Sequence, residues 1–277
     1  VNYVNYIGDP ARSCAVVAHR GAWHEAPENS LAAIENAIAA GYEVVEVDIR
    51  QSADGGLFLL HDDTLERMAG VDRIPEEMTL AEITRLPLRM RDGGPDQPMT
   101  EHRIPTLDQV FEAARGRIFI DLDIKDTAGL LDAVAAKVKA MDMADQVDFK
   151  ADANTAEDRG WIASQRSLDG MSFMAKARFE ADSAAKTAEA VLSVRTFMCE
   201  AEFDHIETLS GQHQRLQSAG ISLWVNTLDP VACAGFKDSA ALRDPDAVWG
   251  RLMAAGVSVI QTDEPEALKA YIETRRR

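Results

Sequence analysis

Short apolar runs alternate with stretches of helical periodicity along almost the whole chain. Eight runs have the length of a strand: Cys14–Ala18, Val44–Ile49, Ile118–Ile124, Gln146–Phe149, Met171–Met174, Val194–Met198, Ile221–Val225 and Val257–Gln261. The fourth and fifth are the faintest. Several are continuously apolar, the pattern of parallel strands covered on both faces. Between them, Leu31, Ile34 and Ile38 form one face at helical spacing, with Asn29 or Ser30 to cap the start and Gly41 after the end. Thr106 to Gln109 makes a capping box before Val110 and Phe111. The last helix opens on the acidic turn Asp263-Glu264-Pro265-Glu266. Strand–helix alternation predicts a parallel sheet. Eight repeats predict an α/β fold of the (β/α)8 TIM-barrel type, with a doubly wound open sheet as the competing architecture.

One stretch breaks the rhythm. Residues 57–103 hold a short strand at Leu57–Leu60, a small helix capped at Thr79 and Glu82, and the Gly/Pro-rich segment RDGGPDQPMT. That is too long for an ordinary connection. It reads as an insertion after the second strand, within a single domain covering residues 1–277.

The formal charge is −17, from 29 Lys and Arg against 46 Asp and Glu. So acidic a surface repels phosphate backbones, which argues against nucleic acid as a partner. An anionic small molecule would need a local cation. No run approaches the ~18 apolar residues of a membrane span, so stable membrane insertion is not expected. The first twenty residues lack the pattern of a signal peptide. The chain opens on Val1 rather than Met, so localisation stays open between the cytoplasm and an exported compartment reached with a leader since removed. Three scattered cysteines, Cys14, Cys199 and Cys233, form neither a disulfide framework nor a zinc pattern.

The chemistry concentrates where strands end. In the second predicted strand, Glu46 and Asp48 are two residues apart and project from one face. Two carboxylates among Val44, Val45, Val47 and Ile49 cost several kcal/mol unless a cation neutralises them. Oxygen ligands without cysteine favour a hard divalent ion, Ca2+ or Mg2+, over zinc. The plainer alternative is an edge strand whose acids face water. In IFIDLDIKD, Asp121, Asp123 and Lys125 share a face near a strand's C-terminal end, where barrels build their active sites. Asp123 can complete a three-carboxylate cation site, and Lys125 can bind an anionic oxygen; a structural Asp–Lys ladder is the alternative. His19 and His61 each follow an apolar run beside a charged neighbour. Two such imidazoles can serve as general acid and general base near neutral pH.

The stretches AHRGAWHEAPENS, EVDIRQSADG, HDDTLERMAG, IPTLDQVF, IDLDIK, WVNT and QTDEP resemble the successive signatures of the glycerophosphodiester phosphodiesterase family. The resemblance is dense from about residue 16 to 70. It is weak between residues 126 and 220. It implies a TIM barrel with a small insertion after the second strand, and a divalent ion, commonly Ca2+ or Mg2+, with Mn2+ also admissible. The implied reaction is hydrolysis of a small-molecule glycerophosphodiester to sn-glycerol 3-phosphate and an alcohol. It implies His19 and His61 as the acid–base pair, Glu46 and Asp48 as metal ligands, and Arg20 and Lys125 as phosphate-binding cations. Asp123 stands where the family usually has Glu, one methylene longer. Gly21 would allow a tight turn beside His19 and Arg20. Glu28 would brace that loop or assist the metal, and Trp224 would face the substrate or pack the barrel top. Two rival readings are a lipid-directed phospholipase D-like enzyme of the same fold and a barrel that binds a phosphorylated ligand without turning it over.

Overall fold

The computed structural model describes residues 2–275. Its strands are β1 (Ala15–Ala18), β2 (Val44–Gln51), β3 (Leu57–Leu59), β4 (Pro87–Arg89), β5 (Met99–Arg103), β6 (Phe119–Ile124), β7 (Val147–Asp152), β8 (Ser172–Phe179), β9 (Met198–Phe203), β10 (Ser222–Asn226) and β11 (Val257–Thr262). Leaving out β3, β4 and β5, eight parallel strands with helices between them make the fold a (β/α)8 TIM barrel. The chain divides into two compact units, residues 18–147 and residues 1–17 with 148–277.

In the unit of residues 18–147, β2 pairs with β6 in parallel, and the register sets Glu46 beside Asp121 and Asp48 beside Asp123. On its other side β2 pairs antiparallel with β3, Ile49 opposite Leu59. The predicted insertion is therefore a hairpin return followed by short helices and the two-stranded β4–β5 sheet. It has its own apolar centre of Phe58, Leu60, Leu65, Met68, Ile83, Leu88 and Ile104. The helix Leu31–Ala40 is capped by Ser30, whose hydroxyl accepts from the Ala33 amide, and ends on Gly41 at φ +69°. The capping boxes at Thr79/Glu82 and Thr106/Gln109 are both present.

In the other unit, β7 to β11 run parallel. Here the sequence pattern misleads. The sixth strand is not at Val194–Met198 but begins at Met198, and β7 and β8 run past the apolar stretches expected to contain them. The cause is a line of charged side chains inside the sheet. Glu200 is buried, 3.8 Å from the Lys150 ammonium and 3.9 Å from that of Lys176. Each charge interrupts an apolar run that would otherwise mark its strand.

The ends of β10 and β11 are tied by Asp238, whose buried carboxylate accepts from the hydroxyls of Thr227 (2.6 Å) and Thr262 (2.7 Å) and from the Asp263 amide (2.9 Å). Burial pushes the Asp238 carboxyl up to about 6, although these three hydrogen bonds pull the other way. The native state then keeps a proton that the unfolded chain releases at the ordinary value of 3.8. The group's contribution to stability is complete below that value and is lost as pH climbs through about 6. Asp238→Asn sets an amide donor against the Asp263 N–H and is expected to cost about 1–3 kcal/mol. Melting curves of both proteins from about pH 4 to about pH 7 should show the wild-type advantage shrinking as pH rises; a constant or growing advantage would contradict this.

Candidate active site

The site grows from β2 and β6. Glu46 and Asp48 are buried, and Asp123 is partly exposed. Carboxylate oxygens of these three side chains lie within 4.8 Å of one another. Lys125, one residue beyond β6, is fixed by its backbone, whose amide donates to the Ile49 carbonyl (3.1 Å). Its ammonium lies 2.6 Å from both Asp48 and Asp123. Burial disfavours charge on both partners, but attraction wins. Asp48 is held below the usual carboxylate range by Lys125 and Arg20, and Lys125 above the usual amine range by Asp48 and Asp123.

The turn after β1 supplies the second layer of charge. Arg20 sits at φ +55° and Gly21 at +88°. A Cβ on Gly21 would come within 2.7 Å of the Ala33 Cβ, so only glycine lets this turn lie against its helix. The left-handed backbone at Arg20 costs of order 1 kcal/mol. It turns the Arg20 amide onto Glu46 (3.0 Å) and its guanidinium onto Asp48 (3.2 Å) and both oxygens of Glu28 (3.1 Å each). The His19 ring reaches to 4.0 Å from Glu46. Asn29, also left-handed at φ +54°, closes the arrangement. Its amide group donates to Asp48 (2.6 Å) and accepts from the Asp48 backbone N–H (3.1 Å).

His61 follows the short strand β3. The Leu60 amide donates to the Asp48 carbonyl (3.1 Å), and Arg50 donates to the carbonyl of His61 (3.0 Å). His61 lies near enough to Asp48 that, when protonated, it favours the Asp48 carboxylate. Its Nδ1 lies 2.8 Å from Asp62. Burial alone would raise the Asp62 carboxyl, but hydrogen bonds from His61 and Arg67 outweigh it and hold Asp62 well below the usual range. An ionised carboxylate only accepts, so Nδ1 carries a proton, and in the neutral form of the ring Nε2 is the nitrogen left with a lone pair.

His19, Arg20, Glu46, Asp48, Asp123 and Lys125 are thus drawn together, with His61 within electrostatic reach. Glu28 is 3% exposed, with its carboxylate engaged by Arg20 and Arg67. These contacts tie it to the loop after β1. Trp224 belongs to the other unit, is fully buried, and donates its indole N–H to Asn226 (2.6 Å). Sequence reasoning missed Arg50, Asp62 and Arg67, and did not foresee the contact of Asn29 with Asp48. Asp62 had a signal, an acid directly after a strand-end histidine. Asn29 had none, its partner being 19 residues away, and Arg67 has one partner near at hand, Asp62, but reaches Glu28 across 39 residues.

A family profile described as a domain of unknown function matches residues 173–272. A glycerophosphodiester phosphodiesterase of Caldanaerobacter subterraneus subsp. tengcongensis is 32% identical over 124 residues, 44% of this chain and 50% of that protein. The chain thus spans about half the length of this curated relative. Among solved structures, a glycerophosphoryl diester phosphodiesterase from Parabacteroides distasonis superimposes with a TM-score of 0.77 at 21% identity, covering 98% of this chain and 92% of its own. A glycerophosphodiester phosphodiesterase from Agrobacterium tumefaciens gives a TM-score of 0.65 at 26% identity, covering 93% and 99%. Signatures, fold and relatives agree in their likeness to the glycerophosphodiester phosphodiesterases.

Proposed function

We propose that this chain hydrolyses glycerophosphodiesters to sn-glycerol 3-phosphate and an alcohol, with His19 and His61 moving protons and Arg20 and Lys125 binding the phosphate. The observation that carries this reading is the convergence of two cations on one buried acid. Arg20 (3.2 Å) and Lys125 (2.6 Å) both meet Asp48, and the His19 ring lies 4.0 Å from Glu46. In a chain of formal charge −17, an anion needs such fixed cations at its binding point, together with an ion to offset the acids around them.

The three carboxylates offer an all-oxygen donor set. That chemistry fits a hard divalent ion, Ca2+ or Mg2+, with Mn2+ also accommodated, held by Glu46, Asp48 and Asp123. A bound ion of this kind supplies Lewis-acid polarisation of phosphoryl oxygens. The remaining work falls to the chain itself. Arg20 and Lys125 hold nonbridging oxygens and stabilise the charge that builds up during in-line displacement. One imidazole takes the proton of the nucleophile, which is water or a neighbouring hydroxyl of the substrate. The other gives a proton to the departing alkoxide. His61 enters this exchange through Nε2, because Asp62 occupies Nδ1.

The test is release of sn-glycerol 3-phosphate from the choline, ethanolamine, inositol and glycerol diesters, each assayed in Ca2+, Mg2+, Mn2+ and EDTA. Turnover is expected with a divalent ion and should vanish in EDTA. His19→Ala and His61→Ala should each lower kcat by about 10²–10⁴-fold. No release from any diester in any ion would overturn the reading. Full activity in either histidine variant would remove that residue from the mechanism.

A further inference from the structure

The insertion after β2 lies against the reaction site, and one of its side chains joins both halves of it. Arg67, on the short helix Glu66–Ala69, spends its planar fork on two acids. Nε and Nη2 donate to the two oxygens of Asp62 at 2.6 and 2.9 Å, and Nη2 also donates to Glu28 at 2.6 Å. Asp62 in turn holds His61 Nδ1 at 2.8 Å, and Glu28 holds Arg20 at 3.1 Å. A continuous path of charged hydrogen bonds therefore runs from His61 through Asp62, Arg67 and Glu28 to Arg20.

The seat of Arg67 is built for this. Its guanidinium also donates to the Asp92 carbonyl, and its own carbonyl accepts from the Gly94 amide (2.8 Å). Gly93, at φ +73°, lies so close that a Cβ there would meet the Arg67 carbonyl oxygen at 2.7 Å. Next to it, Arg91 pairs through its backbone with the loop carrying Glu28. The Glu28 amide donates to the Arg91 carbonyl (2.9 Å), and the Arg91 amide to that of Ala26 (3.2 Å). The Gly/Pro-rich segment thus clasps the loop after β1 and the turn after His61 around a single guanidinium. A lysine has no rigid fork and cannot bridge the two carboxylates in the same way.

We propose that Arg67 is a positioning residue serving both parts of the reaction: through Asp62 it keeps His61 presenting Nε2, and through Glu28 it keeps Arg20 on the phosphate. The proposal rests on the diesterase reading. It assigns different kinetic signatures to the two arms. Cutting the Asp62 arm disturbs proton transfer and should appear in kcat. Cutting the Glu28 arm disturbs phosphate binding and should appear in KM. Removing Arg67 should show both.

The experiment compares Asp62→Asn, Glu28→Gln, Arg67→Met and Arg67→Lys in steady-state kinetics, with the 15N spectrum of the imidazole of His61 recorded for each full-length protein. Asp62→Asn should lower kcat at least about 10²-fold with KM changed less than about threefold. Glu28→Gln should raise KM about tenfold with kcat largely kept. Arg67→Met should lower kcat and raise KM together, with Arg67→Lys restoring only a minor part. In the spectra, the Nδ1–H form should dominate in the wild type and give way to a tautomer mixture in Asp62→Asn and Arg67→Met. An Arg67→Met protein with wild-type kcat, KM and tautomer would overturn the proposal. So would one whose losses are matched by Arg67→Lys without any change in the His61 spectrum. If the wild type turns over no diester, the reaction assigned above fails, while the spectra still decide whether Arg67 sets the state of His61.

Discussion

The parallel pairing of β2 with β6 confronts Glu46 and Asp48 with Asp121 and Asp123 on adjacent strands. Four carboxyl groups at this spacing, three of them buried, cannot all be charged in a protein interior without compensation. Every notable feature around them answers that constraint. Lys125 bridges Asp48 and Asp123, Arg20 reaches Asp48 while its amide takes Glu46, and Asn29 offers Asp48 both a donor and an acceptor. For the proposed diesterase reaction the same compensation is useful. Acids that need cations hold cations in place, and cations held in place are what a phosphodiester requires.

Holding that arrangement requires local departures from relaxed backbone. Arg20 and Asn29 both stand at positive φ, at either end of a loop closed by the Asn29 amide donating to the Arg20 carbonyl (2.9 Å). Such strain persists only where surrounding contacts over-determine it. Here those contacts come from Ser30 capping its helix, Glu28 gripping Arg20, and the insertion's backbone pairing with the loop. The insertion is thus part of the scaffold of the candidate site, with an apolar centre of its own beneath Arg67.

Much of this was legible in the sequence because the most informative signals are local. The i, i+2 spacing of Glu46 and Asp48, the strand-end histidines and the capping boxes depend on neighbours within a few residues. The illegible parts depend on partners far along the chain. Arg67 finds Glu28 across 39 residues and looks like any surface arginine on a short helix. The limits of β8 and β9 were hidden because Lys176 and Glu200 neutralise each other inside the sheet, and a hydropathy pattern records each charge without its partner. Glu28 was read as bracing the loop or assisting the metal, and its two arginine partners, 8 and 39 residues away, were not foreseen.

The central proposal is that Glu46, Asp48 and Asp123, on β2 and β6, would hold a divalent ion beside Arg20 and Lys125. The most direct measurement is calorimetric titration of Ca2+ and Mg2+ into the wild type and into Asp123→Asn, whose partly exposed side chain can be changed without opening the core. The account predicts about one ion bound per chain in the wild type, with affinity weakened at least tenfold in the variant. Binding that is absent from the wild type, or unchanged in Asp123→Asn, would contradict it.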